Sequence, residues 1–167
     1  MQDTSPPPTE RHILSTFEEI RSGVIDIAAK AKRSMTIMTA DLEPGIYDSD
    51  EFLEVVKRLV LAKRYARIRV LVTDPARTVR AGNSFVKLGR RLNTYIDFRN
   101  LRESYRKEVH SAYIIADDQA ILYRVNGRGY DGIMGFGEAP VAQQYLKEFE
   151  QPWVDSAFSE DIRRAHT

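Results

Sequence analysis

The sequence has no cysteine, which excludes disulfides, thiolate zinc sites, iron–sulfur clusters and a cysteine nucleophile together. It has no apolar run of the roughly 20 residues that a membrane-spanning helix needs. Histidine is scarce, confined to His12, His110 and His166, and tryptophan occurs once, at Trp153. The first nine residues, MQDTSPPPT, lack both the basic and the apolar region of a secretory signal, so a cytoplasmic location is expected. Neither a Walker nor a dinucleotide fingerprint occurs, and no cluster of metal-ligand residues is found, so no cofactor and no metal are expected. What remains is a chain of 167 residues with enough apolar content for one well-packed core.

Net charge is also nearly absent, at +1, but this is a cancellation. Residues 57–107 hold fifteen Lys or Arg against Asp74, Asp97 and Glu103, a segment charge of +12; the rest of the chain carries −11. Segregation of this size marks an anionic partner, unless the two blocks interleave in space and neutralise each other. Within the basic block, Arg77, Arg80, Ser84, Lys87 and Arg91 recur at three- and four-residue spacing, opposite Ala81, Phe85, Leu88 and Leu92. On one continuous helix this makes a cationic face for phosphates, of nucleic acid or of an anionic membrane surface. The helix lacks the Trp or Phe wedges of membrane-surface helices, which favours nucleic acid.

Hydrophobic periodicity gives the architecture. Residues 1–9 read as a disordered Pro-rich tail, and residues 10–167 as one domain. Ile13, Phe17, Ile20, Val24, Ile27 and Ala31 predict a long first helix with Thr9 as N-cap. Met35 to Thr39 reads as a strand. Asp48 and Glu51 suggest a capping box before a helix that buries Phe52, Val56, Leu59 and Val60. Arg67 to Thr73 has the continuous apolar run of a central strand, and Asp74-Pro75 starts the cationic helix. Tyr95 to Arg99, Val109 to Ala116, Gln119 to Val125 and Arg128 to Phe136 are expected strands. The last of these, rich in glycine, reads as a bulged edge strand, and Asp117-Asp118 as a turn. Pro140 opens a helix with Tyr145, Leu146, Phe149 and Trp153 on one side, and a short helix is expected over 159–165. The sum is an α/β fold with a mixed sheet and helices on both faces.

His110 and Asp117 frame the apolar run Tyr113 to Ala116. With this spacing the chain resembles the phospholipase D superfamily, whose motif is H-x-K-x4-D followed by Gly-Ser and Asn. The resemblance spans most of residues 10–155 and extends to an uncharacterised bacterial family of single domains, some attached to acetyltransferase domains. It implies a phospholipase D-like fold with His110 and Asp117 as remnant catalytic residues. The motif's Lys position is Ala112, its Gly-Ser positions are Arg124 and Val125, and its Asn position is Arg128, beside Asn126. In active relatives the resemblance implies a phosphohistidine intermediate, reached through a pentacoordinate phosphorane whose negative charge needs fixed donors. One motif copy would require a homodimer to supply a second histidine. The expectation is a non-catalytic domain that binds a phosphate-bearing partner through Arg77, Arg80, Lys87 and Arg91, with Arg124 and Arg128 as further phosphate contacts. A dimeric phosphodiesterase with His110 as nucleophile is the enzymatic alternative, and an accessory module for a partner protein, such as an acetyltransferase domain, is the third.

Overall fold

The computed structural model describes residues 11–158. Helix α1 (Phe17–Lys30) begins at Thr16, whose hydroxyl accepts from Glu19 N at 3.1 Å, while Glu19 Oε1 accepts from Ser15 N at 3.1 Å. This reciprocal cap, with Glu18 and Glu19 in the first turn and Lys30 in the last, fixes the helix start seven residues later than expected. Residues Arg11–Leu14 instead form strand β1, antiparallel to a strand near the chain's other end, and Ile13 is exposed. Long-range pairing overrides a helical spacing that happens to continue upstream. Thr9, the Pro-rich tail and the helix expected over 159–165 lie outside the described residues.

Strand β2 (Ser34–Thr39) leads to helix α2 (Asp50–Ala62). Its N-cap is Ser49, not Asp48: Ser49 Oγ accepts from Phe52 N at 3.2 Å. Asp48 is occupied one turn earlier, accepting from Gly45 N at 2.6 Å, and Glu51 pairs with Arg21 at 2.7 Å. Gly45 adopts φ +86°, and a Cβ there would lie 2.9 Å from the Phe17 ring, so the turn needs glycine on both counts.

Strand β3 (Arg67–Val72) is followed by two helices where one was expected: α3 (Pro75–Ala81) and α4 (Ser84–Arg91). Gly82, at φ +67°, ends the first. Asn83 caps the second, its Oδ1 accepting from Phe85 N at 2.8 Å and Val86 N at 3.3 Å, and its Nδ2 donating to Leu42 O at 2.9 Å. Strand β4 (Ile96–Asn100), strands β5 (Ala112–Ala116), β6 (Ala120–Arg124) and β7 (Gly132–Gly135), helix α5 (Ala139–Val154) and the two-residue strand β8 (Ala157–Phe158) complete the chain.

The eight strands form one sheet in the order β1-β7-β6-β5-β2-β3-β4-β8. β2, β3 and β4 are parallel and every other pair is antiparallel. β7 therefore lies inside the sheet, between β6 and β1, and is not the edge strand its glycines suggested. Period-two alternation divides the core. Ile114, Ala116 and Leu122 pack with α1, α2 and α4; Tyr113, Ile115 and Ile121 pack with Ala142, Phe149 and Trp153 of α5. The expected mixed sheet with helices on both faces is what the chain forms.

This topology defines two ends. The carboxyl end of the sheet collects the C-termini of β2, β3, β4 and β6 with the start of β5. The amino end collects the starts of β2, β3 and β4 with the C-termini of α1, α2 and α4.

Candidate functional site

His110 lies at the carboxyl end, exposed, two residues before β5. Its carbonyl accepts from Gly127 N at 2.7 Å, which closes the β6–β7 connection onto the start of β5. The motif's lysine position, Ala112, is a buried methyl packed where a Cβ on Gly127 would sit 3.1 Å away. Directly across the ladder from Ala112 stands Arg124. Its side chain is only 2% exposed and is clamped by Glu43 of the β2–α2 loop: Nη1 donates to Glu43 Oε2 at 3.2 Å and to Gly129 O at 3.1 Å, and Nη2 donates to Glu43 Oε1. Burial opposes the guanidinium charge, but the bonds and charge of Glu43 outweigh it and hold Arg124 above its ordinary pKa.

A second carboxylate engages the next cation. Asp41 Oδ2, nearly buried, pairs with Arg77 Nε at 2.9 Å, although Arg77 itself is 68% exposed. Burial pushes the Asp41 carboxyl above the usual range; Arg77 pulls it down, while Glu43 and Asp74 push it up. Both cations are thus already matched to protein carboxylates, where a phosphate would need them free. Arg128 remains exposed, and Asn126 is used locally, its Oδ1 accepting from Arg128 N at 3.0 Å.

Asp117 is at the far end of β5. Seven residues of extended chain separate it from His110, on the order of 20 Å. It adopts φ +56° and accepts backbone N–H bonds from Lys32, Arg33 and Ser34, the closest at 2.8 Å. The structure gives it the work of tying the α1–β2 turn to the β5–β6 turn, and does not bring it to His110. Among the described residues no group of three His, Asp or Glu could hold a metal ion, and no helix is long and apolar enough to cross a membrane.

The expected cationic helix face is divided by the break at Gly82. Arg77 belongs to the carboxyl end, Lys87 is exposed midway along α4, and Arg91 is exposed at the end of α4, at the amino end; the side chain of Arg80 lies outside the described residues. The richer cation cluster is one that the helix reading missed. Lys32 and Arg33 follow α1, Lys63 and Arg64 follow α2, and Arg90 and Arg91 finish α4, all at the amino end. None of the six holds an ion pair among the described residues; within the basic block, Lys57, Arg69, Arg77 and Arg99 do. Beside the cluster, Arg67, Arg69 and Arg90 line an open cleft of about 680 Å³ along β4. The signal was present in the sequence as Lys and Arg bunched at or just beyond the end of each helix. Cations there also complement the helix dipoles, but that effect fades within the last turn and does not require Lys63 or Arg64, which lie beyond it.

Residues 16–165 match the model of a family described as Domain of unknown function (DUF7931). The chain belongs to this family. No curated protein matches the sequence. Among solved structures, Nuc from Salmonella typhimurium, a phospholipase D family member, superposes with a TM-score of 0.62 at 14% identity over 90% of this chain and 98% of its own. NucT from Helicobacter pylori gives 0.61 at 10% identity over 90% and 99%. TrmBL2, an archaeal chromatin protein whose structure is described as showing a novel mode of DNA binding, gives 0.62 at 9% identity over 93% of this chain and 56% of its own. The DUF7931 chain therefore has the phospholipase D-like fold that its His110–Asp117 spacing suggested.

Proposed function

We propose that this protein binds nucleic acid through the amino end of its sheet and does not cleave it. The observation that carries this is the cluster of cations at one end, from Lys32 to Arg91, none of which is ion-paired among the described residues, in a chain whose total charge nearly cancels. Polyanions release counterions when such cations neutralise phosphates, so a local cluster binds even when the net charge is close to zero. Arg91 belongs to this surface, Lys87 lies one helical turn before it on α4, and Arg77 lies at the opposite end of the sheet. TrmBL2, with the same fold, is described as binding DNA, which supports the partner class.

The carboxyl end supports the absence of cleavage. Phosphoryl transfer at His110 would build negative charge, and each missing donor typically lowers the rate by about 10²–10³. Ala112 supplies no donor, Arg124 is bound to Glu43, and Asp41 adds a second carboxylate.

Fluorescence anisotropy with labelled DNA at two salt concentrations tests the binding. With four to six phosphates neutralised, log Kobs should fall with log salt at a slope of about −4 to −5 on duplex DNA. The Lys63→Ala/Arg64→Ala/Arg67→Ala variant should flatten that slope by about 3, and Arg77→Ala should leave it unchanged. Absence of salt-sensitive binding at low ionic strength overturns the reading. Hydrolysis of a generic phosphodiester that disappears in His110→Ala overturns the non-catalytic part.

A further inference from the structure

The basic end carries an aromatic side chain that the core does not use. Tyr65 is 79% exposed and makes no ring contact, hydrogen bond or ion pair among the described residues. It sits at a corner of the tight turn between α2 and β3, closed by Ala66 N donating to Lys63 O at 3.1 Å. Ala66, fully buried, pins the turn to the core, and Arg67 N donates to Arg33 O at 3.0 Å on the neighbouring connection. The ring is thus held out from the surface on a short, anchored turn, with Arg64 before it and Arg67 two residues after. Leu61, 86% exposed, lies one helical turn earlier.

We propose that Tyr65 is a stacking platform for an unpaired base, and that the protein prefers single-stranded nucleic acid. The proposal rests on the nucleic-acid reading above and adds its strand type and a named contact. In a duplex the base faces are hidden, so an exposed ring gains nothing there; a single strand offers a π face at every nucleotide. Lys63, Arg64 and Arg67 lie on either side of the ring in the chain, as a backbone-tracking groove with a stacking side chain requires. Holding the turn rigid in the free protein reduces the ordering that binding must impose. Other rings are not free for this role: Trp153 stacks on Phe149 at 5.5 Å and has Arg99 over it at 4.2 Å, and Tyr95 packs against the core. A membrane surface is the competing partner, but Leu61 and Tyr65 alone form a small apolar footprint, and interfacial binding scales with apolar area.

The test compares a thymidine oligomer, an abasic oligomer of equal length, duplex DNA, and vesicles of phosphatidylcholine and phosphatidylglycerol in equal parts. Wild type, Tyr65→Phe and Tyr65→Ala are each measured at one salt concentration, after thermal melting shows that all three are folded. Tyr65→Ala should weaken binding of the thymidine oligomer about 5- to 150-fold, Tyr65→Phe should retain it, and affinity for the abasic oligomer and the duplex should not change. If wild type binds nucleic acid but Tyr65→Ala alters nothing, or weakens all three nucleic acids equally, stacking is overturned while phosphate binding stands. If wild type binds no nucleic acid, or binds only the vesicles, the underlying reading falls and the inference with it.

Discussion

Replacing Glu43 by Ala removes the carboxylate that neutralises Arg124. The guanidinium is 2% exposed and the Glu43 side chain 18% exposed, so the pair is largely shielded from water. Breaking a buried pair from one side leaves the other charge uncompensated, which destabilises by about 3–5 kcal/mol. Gly129 O, at 3.1 Å from Nη1, would remain as a single acceptor for a group with five N–H donors. For a chain of this size each kcal/mol moves the melting temperature by about 2–4 °C, so the midpoint should drop by about 6–20 °C. Thermal and urea unfolding followed by circular dichroism measure it, and an unchanged urea m-value shows that only stability moved. The Glu43→Leu/Arg124→Met double variant should be more stable than Glu43→Ala, because removing both charges lifts the desolvation penalty along with the attraction. Inorganic phosphate should raise the melting temperature of Glu43→Ala more than that of wild type, since the freed guanidinium then has an oxyanion site. A Glu43→Ala midpoint within a degree of wild type would refute the claim that Arg124 depends on this clamp.

Two further substitutions probe the same framework. Asp41 has a folded-state pKa above its unfolded value, so the folded state binds more protons and stability declines as pH rises from about 3.8 through the folded pKa, then levels off. Asp41→Asn should remove that decline and raise the melting temperature at neutral pH relative to acid; the lost pair with Arg77, whose side chain is mostly exposed, is worth at most about 1 kcal/mol. Gly89→Ala would place a Cβ 2.1 Å from the Phe98 ring, so overpacking of about 1–3 kcal/mol should exceed the roughly 1 kcal/mol gained in helix propensity, and thermal melting should register a net loss.

The sequence was legible where local pattern and tertiary environment agree. Val70, Leu71 and Val72 declare a central strand because both faces are buried there, and Phe52, Val56, Leu59 and Val60 declare a helix because one face is. It was misleading where a local pattern had a competitor elsewhere. Residues 11–14 continue the spacing of α1, but β7, more than a hundred residues away, offers a ladder for them. The helix break was visible in principle: Gly82-Asn83 is a C-cap residue followed by an N-cap residue, inside a stretch whose periodicity nearly carries across it. The Glu43–Arg124 clamp had no such signal. Glu43 stands in a turn-like stretch before Pro44-Gly45, and only the parallel and antiparallel pairings around β2 and β5 bring it to the end of β6.

These placements explain how a chain of net charge +1 can present a strongly cationic surface. At physiological salt, exposed charges are screened beyond about 8 Å, so a partner responds to the cations it can touch and hardly to the chain total. At the carboxyl end, Arg106, Lys107 and Arg128 share the surface with Asp74, Glu103, Glu108 and Asp131, and Arg77 and Arg124 are bound to carboxylates. At the amino end, α1, α2 and α4 run down from β1, β2 and β3 and terminate together, so the cations at or after the end of each helix are assembled by connectivity from three separate stretches of sequence. Of the acids near them, Asp117 is held by backbone N–H groups and Asp97 by Arg99, and Asp118 is partly exposed in the β5–β6 turn. A phosphate polymer would therefore meet mixed charge at the end that holds His110 and a predominance of cations at the end that holds Tyr65. On the proposed reading, this charge distribution would direct such a polymer away from the end that holds His110.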